Sequence, residues 1–209
     1  MPTLNQIGDF IAYRVNRPND RAVKNQAKLL AKTIRSRESR RSLERARHDR
    51  QLLQRIQVEL IKVDKADSCF IDIGCTIRRT KNKVPKPIRW KTDAPFIYVG
   101  QLVGNNSFTY TDLEELRYAA KNKFTSKVGR YYYINDYIYV VNQDKLKWID
   151  IHSQFDDPDQ IINLCDNNAC YNDDMEFPVT NDILHVIIRE ILTVEFKMPA
   201  ITDDEIKFD

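Results

Sequence analysis

Glycine is scarce, with five residues in a chain of 209. Phosphate-cradling loops and glycine-dense β-solenoids both need more, and neither G-x-x-x-x-G-K-[ST] nor G-x-G-x-x-G occurs. H-E-x-x-H and G-x-S-x-G are missing too, so the familiar zinc-protease and nucleophile-elbow chemistries have no starting point. There are only three histidines, and they are scattered. No apolar run approaches the about 18 residues that a membrane span requires. The opening MPTLNQIGDFIAYRV has neither a basic n-region nor a continuous apolar core, so no secretory signal is expected. Cysteines are few: Cys69, Cys75, Cys165 and Cys170. Without a secretion signal they are expected as free thiols acting as small hydrophobes. Their spacings, C-x5-C and C-x4-C, do not suit the common zinc sites, and a site through His152 or His185 is the weaker reading. The expectation is no metal and no cofactor.

What is present is charge, unevenly placed. The formal net charge is +3, yet residues 1–62 carry +9 and residues 150–209 carry −12. The stretch RSRESRRSLERARHDR, residues 35–50, holds seven arginines, no lysine and three acids. A basic start and an acidic end let copies meet head to tail, or let one sign face an outside partner; solvated surface is the plainer reading.

Periodicity divides the chain into three parts. Thr3 and Gln6 form a capping-box pattern, followed by Leu4, Ile7, Phe10 and Ile11 at helical spacing. RPND at 17–20 breaks the run. From about Arg21 to Asp64, one stripe is Val23, Ala27, Leu30 and Ile34, and another is Leu53, Ile56, Leu60 and Val63. This segment reads as one long helix with a wet middle, or as two helices broken near Ser36–Ser42. A β-rich part follows. CFIDIGCTI (69–77) alternates, residues 81–95 read as an extended proline-rich loop, and FIYVGQLVG (96–104) reads as a strand. Thr111 caps a short amphipathic helix. RYYYINDYIYVVN forms a hairpin about Asn135-Asp136, since both residue types tolerate the positive φ of a tight turn. KLKWIDIHS (145–153) is expected as the third strand of a meander. Helix then returns. Pro158 lies in a first helical turn, and residues 180–196 make an apolar helix buried on most sides and stopped by Pro199. The expected architecture is α+β, a helical layer from both chain ends with a central antiparallel β-meander lobe. Its parts are a helical segment 1–66, a β-rich lobe 67–155, C-terminal helices 156–198 packing on the N-terminal ones, and an acidic tail 199–209.

Little of this carries chemistry. His152 with Asp156 or Asp157 can be drawn as an acid–base or metal pair, but those aspartates stand before Pro158, where acids favour a helix N-terminus. The acidic DNNACYNDDME lacks the EF-hand pattern and reads as a solvated loop. Tyr131, Tyr133, Tyr137 and Tyr139, with Trp148 nearby, could stack on a single-stranded nucleic acid. Few cations accompany them, and tyrosine-rich alternation also marks an interface strand, the preferred reading. The arginines Arg35, Arg37, Arg40, Arg41, Arg45, Arg47 and Arg50 are candidate subunit-interface or DNA-facing groups. Glu44 stands at pairing distance from Arg40, Arg41 and Arg47 along a helix.

RYYYINDYIYV, LKWIDIHSQFDDPDQI, a cysteine-containing polar loop and EFPVTNDILHVIIREILTVEF together resemble the second half of head–tail connector proteins of short-tailed bacteriophages, also called ring or adaptor proteins. The resemblance is closest to those of crAss-like phages. It rests on residues 130–196 and does not reach the basic helix. It implies a non-enzymatic virion protein of the neck or tail, made in the host cytoplasm. Such proteins form rings, commonly twelve-fold, that join the portal protein to neighbouring tail proteins around the channel for double-stranded DNA. In a heterologous ring one face meets a different face of the next copy. Asp203, Asp204, Glu205, Ile206 and Phe208 of the tail would then clip onto a neighbour's basic helix. The competing reading is a DNA- or RNA-binding protein with residues 21–62 as a basic arm, and a third is a small hydrolase or nuclease built on His152.

Overall fold

The computed structural model describes residues 2–44, 52–63, 77–88, 94–103, 106–116, 128–157, 159–162, 173–199, 202, 206 and 208. The chain divides into a helical unit of Met1–Leu52, Asp157–Ile162 and Asn168–Asp209, and a sheet unit of Leu53–Asp156 and Asn163–Asn167.

In the helical unit, helix α1 (Leu4–Arg14) opens with the capping box. Thr3 Oγ1 accepts from the Gln6 amide, and the Gln6 side chain accepts from the Thr3 amide. It ends in a left-handed residue, Asn16 at φ 58°. The Asn16 amide donates to Tyr13 O at 3.0 Å and the Arg17 amide to Ala12 O at 2.9 Å, a Schellman closure that satisfies the last carbonyls. Asp20 then caps helix α2 (Arg21–Glu44), its carboxylate accepting from the Ala22 amide at 2.9 Å. The two helices lie close because Gly8 faces the second one, and a Cβ there would stand 3.3 Å from Lys24 O. Two further helices follow, α3 (Asp159–Ile162) and α4 (Asn181–Glu190), and the latter widens into a π-helical turn at Ile191–Glu195. Thr180 caps α4.

Leu4, Ile7 and Ile11 of α1, Ala27, Ala31 and Ile34 of α2, and Leu184, Ile187, Ile188, Ile191 and Leu192 share one core with Phe177, Val179 and Ile206. Burial of such side chains, at about 1.5–3 kcal/mol each, holds the helical unit together. Both ends of the chain therefore contribute to one helical layer. The C-terminal helix is less enclosed than its composition predicts, because Val186 and Val194 are exposed.

The sheet unit has seven strands: β1 (Gln54–Lys62), β2 (Ile77–Thr80), β3 (Tyr98–Gln101), β4 (Thr109–Tyr110), β5 (Arg130–Ile134), β6 (Tyr137–Val141) and β7 (Trp148–Ser153). Their order is β3-β7-β1-β2-β6-β5-β4, antiparallel throughout except for the β4–β5 pair. Asn135 and Asp136, at φ 51° and 66°, make the expected two-residue hairpin turn.

Two expectations are corrected. Residues 53–63 are not helical, because Gln54–Lys62 is the interior strand β1. Its 3-4-3 apolar spacing coexists with a period-two row, Ile56, Val58 and Leu60, and these three are the buried ones. Within residues 21–44 there is one unbroken helix and no break at Ser36–Ser42. The second correction concerns Trp148–Ser153, which does not continue the hairpin as a third strand but pairs with β1 and β3. Of residues 69–77, only Ile77 lies among the described residues.

Registers define the two faces of the sheet, because paired residues point the same way. Ile56 stands opposite Ile151, which stands opposite Val99, and Val58 opposite Ile149. All five are buried. Arg55 opposite His152, Gln57 opposite Asp150 and Glu59 opposite Trp148 form the other, polar face.

Candidate assembly surface

The arginine stretch does not form one surface. Arg35 follows Val23, Ala27 and Ala31 at four-residue steps, so it falls on the buried row of α2 and is 0% exposed. Its Nε donates to Pro178 O at 2.7 Å and its guanidinium lies 5.8 Å from the Phe177 ring centroid. As a candidate interface or DNA-facing group Arg35 is therefore corrected, since it anchors the 177–178 segment of its own chain. Arg37 grips Glu190 at two points, Nη1 to Oε1 at 2.8 Å and Nη2 to Oε2, and its Nε donates to Glu38. The hydrogen bond to Glu190 raises the arginine pKa further, and the same bond holds Glu190 below the ordinary carboxylate range. Arg41 reaches Glu38 at 2.8 Å, and Arg40 and Arg41 are exposed. Arg45, Arg47 and Arg50, and the side chain of Glu44, lie outside the described residues.

Lysines of the same unit are also tied down. Lys28 Nζ meets Asp173 at 2.6 Å and also Asn5, and Lys24 meets Asp9 at 2.6 Å.

The aromatic strands separate by face. Tyr131 is 2% exposed and packs 6.3 Å from Phe96. Its assignment to an interface is corrected, and burial pushes its phenol pKa up. Tyr133 lies edge-on to Phe96 at 5.1 Å and donates to Asp136 at 3.2 Å. Tyr139 stacks on Tyr132 at 4.7 Å with 2° between planes, and Arg79 lies 4.6 Å over Tyr137. These two tyrosines are half-buried, whereas Trp148 is 41% exposed. In the tail, Ile206 is buried in the helical core and Phe208 packs 5.4 Å from Phe10. Ile206 is thereby occupied inside the chain, whereas Phe208 is half-buried and keeps part of its surface open. Asp203, Asp204 and Glu205 lie outside the described residues, as do all four cysteines.

The partner of His152 is neither Asp156 nor Asp157. Its Nε2 stands 3.0 Å from Oδ2 of Asp150, two residues earlier on the same strand face. The other carboxylate oxygen of Asp150 accepts from Arg55 Nε at 2.8 Å. Tyr98, opposite His152 in β3, packs on the imidazole at 4.9 Å. Asp150 is 4% exposed. Burial alone would raise its pKa, but the hydrogen bonds from Arg55 and His152 outweigh burial and leave it below the ordinary value. An acceptor-only carboxylate requires the proton on His152 Nε2. The period-two spacing D-x-H on an alternating strand was the signal for this pair. Among the described residues no group of three or more His, Cys, Asp or Glu is placed to hold a metal.

A concavity of about 410 Å³ lies within the helical unit between Pro2, Gln6, Asn181, Leu184, His185, Ile206 and Phe208.

The organised polar groups either fasten one segment of the chain to another or stand ready on a rigid sheet face, an arrangement suited to a structural subunit that works through surface contact. Residues 6–207 match the family described as phage tail ring protein 2 (CrAss_Ring_2), and the chain belongs to that family. No curated protein matches the chain significantly. Membership gives the protein a structural role in a bacteriophage tail, in line with the resemblance carried by residues 130–196. No described helix is long and apolar enough to cross a membrane.

Proposed function

We propose that the protein is a non-enzymatic ring subunit of the phage neck or tail that joins the portal vertex to the tail and surrounds the channel for double-stranded DNA. The family match over residues 6–207 carries this reading. The units support it, since each has its own core and together they offer unlike surfaces for the head-to-tail contacts of a closed ring. Twelve copies are the expected number. The portal protein and adjoining ring or tail proteins are the other partners. Exposed Arg40 and Arg41, half-buried Tyr137 and Tyr139, and Trp148 remain the groups proposed for these contacts or, for the arginines, for passing DNA. The basic-arm reading loses support where Arg35 and Arg37 are engaged within the chain.

Native mass spectrometry and negative-stain imaging of the purified protein, alone and with its portal, test the proposal. Closed rings that stack coaxially on the portal are expected. A monomer at every concentration would overturn it. Steep salt-sensitive duplex binding by the free chain, with a slope of about −0.9 per phosphate neutralised, would favour the basic arm.

A further inference from the structure

The Arg55 cluster does more than secure a strand. Asp150 is 94% covered by side-chain measure, its side chain being 6% exposed, while that of Arg55 is 56% exposed. The buried carboxylate takes only the Nε of Arg55. Among the described residues, no other partner holds that guanidinium, so its two terminal nitrogens are left to pair elsewhere while the Nε bond restrains the group. A guanidinium held this way meets a carboxylate at two points with less ordering to be done on binding. Trp148 stands on the same face, four residues from His152 along β7, about 13 Å at the usual rise. Tyr98 lies on the near side. Arginine, tryptophan and tyrosine, here on one sheet face, are the residue types that dominate protein–protein binding energy.

Charge decides between a carboxylate and a phosphate. Lys81, the next cation on this face, is paired with Glu59 at 2.8 Å. Arg79 lies over Tyr137. The face thus offers one open fork beside a buried negative group, not the row of open cations that tracks a nucleic-acid backbone. A carboxylate supply exists on the chain itself, since residues 150–209 carry −12. Among the described residues of that segment, Asp182 and Glu195 are exposed and enter no ion pair.

We propose that Arg55, oriented by Asp150 and flanked by Tyr98, His152 and Trp148, is a carboxylate-receiving fork that docks Asp182 or Glu195 of a second copy of this chain. The inference rests on the ring-subunit reading and deepens it by naming the contact.

The test compares full-length wild type with R55A/D150N, R55K and D182N/E195Q by native mass spectrometry across a concentration series. R55A/D150N removes the fork together with its buried counter-charge, so the fold is kept; circular dichroism and a thermal melt check this. R55K keeps the charge and loses the two-point geometry. R55A/D150N and D182N/E195Q should each need at least tenfold more protein to assemble, with R55K between them and wild type. Wild-type assembly by folded R55A/D150N overturns the fork while leaving the ring reading intact. Assembly of D182N/E195Q like wild type overturns the stated source of the carboxylate. A wild type that never assembles overturns both readings. Loss of duplex DNA binding in R55A/D150N without loss of assembly assigns the fork to phosphate and overturns the proposal.

Discussion

Arg35 and Arg37 of the helical unit and Arg55 of the sheet unit are held in opposite ways. In the helical unit, Arg35 is fully buried and Arg37 is clamped to Glu190, while Lys24 and Lys28 are bound to acids of the same chain. In the sheet unit, Arg55 is held only at Nε, and its side chain is 56% exposed. The stretch richest in arginine is therefore partly internal structure, and an isolated arginine in the sheet is as exposed as Arg41 within it. Local density of charge does not predict where charge is available; the buried row of the helix does.

The largest effect should come from Arg35. Arg35→Ala removes a buried side chain and leaves the Pro178 carbonyl without its donor, so the helical unit should lose about 3 kcal/mol. Urea unfolding followed by helix ellipticity at 222 nm measures it. Arg35→Met keeps the stem volume and isolates the missing donor, at about 1–2 kcal/mol. An Arg35→Ala loss below about 0.5 kcal/mol, the level of an exposed site, would erase the contrast between the two units.

That contrast also separates what the sequence could reveal from what it could not. The Thr3–Gln6 box, the Asn135-Asp136 turn and the helix beginning at Thr180 were legible, because each signal lies within a few residues of its partner. Strand β1 was not. Its residues fit a helical stripe and a period-two row equally well, and the choice was made by β7, about ninety positions later. The sheet order was hidden for the same reason, since β7 follows the hairpin in sequence but pairs elsewhere. Arg35 was legible in principle from the four-residue row Val23, Ala27, Ala31, Arg35, Ser39, all of them buried. The strong association of arginine with surfaces masked it. Asp150 and His152 were likewise readable as one strand face, whereas Arg55 could join them only once β1 was known to be a strand.

A middle-sized effect belongs to the Arg37–Glu190 clamp, which is part-exposed. Arg37→Gln should cost about 1 kcal/mol, again by helix ellipticity. Acid supplies the same test without a substitution. The folded Glu190 and Asp150 carboxyls both sit below their unfolded values, so each contributes stability that is fully present above the ordinary carboxylate range, near about 4. That contribution is lost as pH falls through the folded values. Both tryptophans, Trp90 and Trp148, belong to the sheet unit, so fluorescence follows that unit while ellipticity follows the helices. Below about pH 4 the helix signal of Arg37→Gln should lose less stability than that of wild type, because its glutamate has already lost its partner. Equal acid sensitivity in the two proteins would show that Glu190 is not the group responsible.

The smallest effect is expected at Arg41, and it marks the limit of the internal network. Its contact with Glu38 is an i,i+3 pair on an exposed helix face, with the arginine side chain 55% exposed. Such pairs contribute about 0.2–0.5 kcal/mol and weaken with salt. Arg41→Ala should therefore leave the unfolding midpoint nearly unchanged, and half-molar salt should abolish the remaining difference. A loss of 1 kcal/mol or more, roughly twice the upper value for a helix pair, would mean that the α2 charges act as one coupled network. Arg35, Arg37 and Arg41 would then have to be treated as a unit. A small loss leaves Arg41 energetically unneeded for the fold, and so open for contact with another chain, a position the buried Arg35 on the same helix cannot hold.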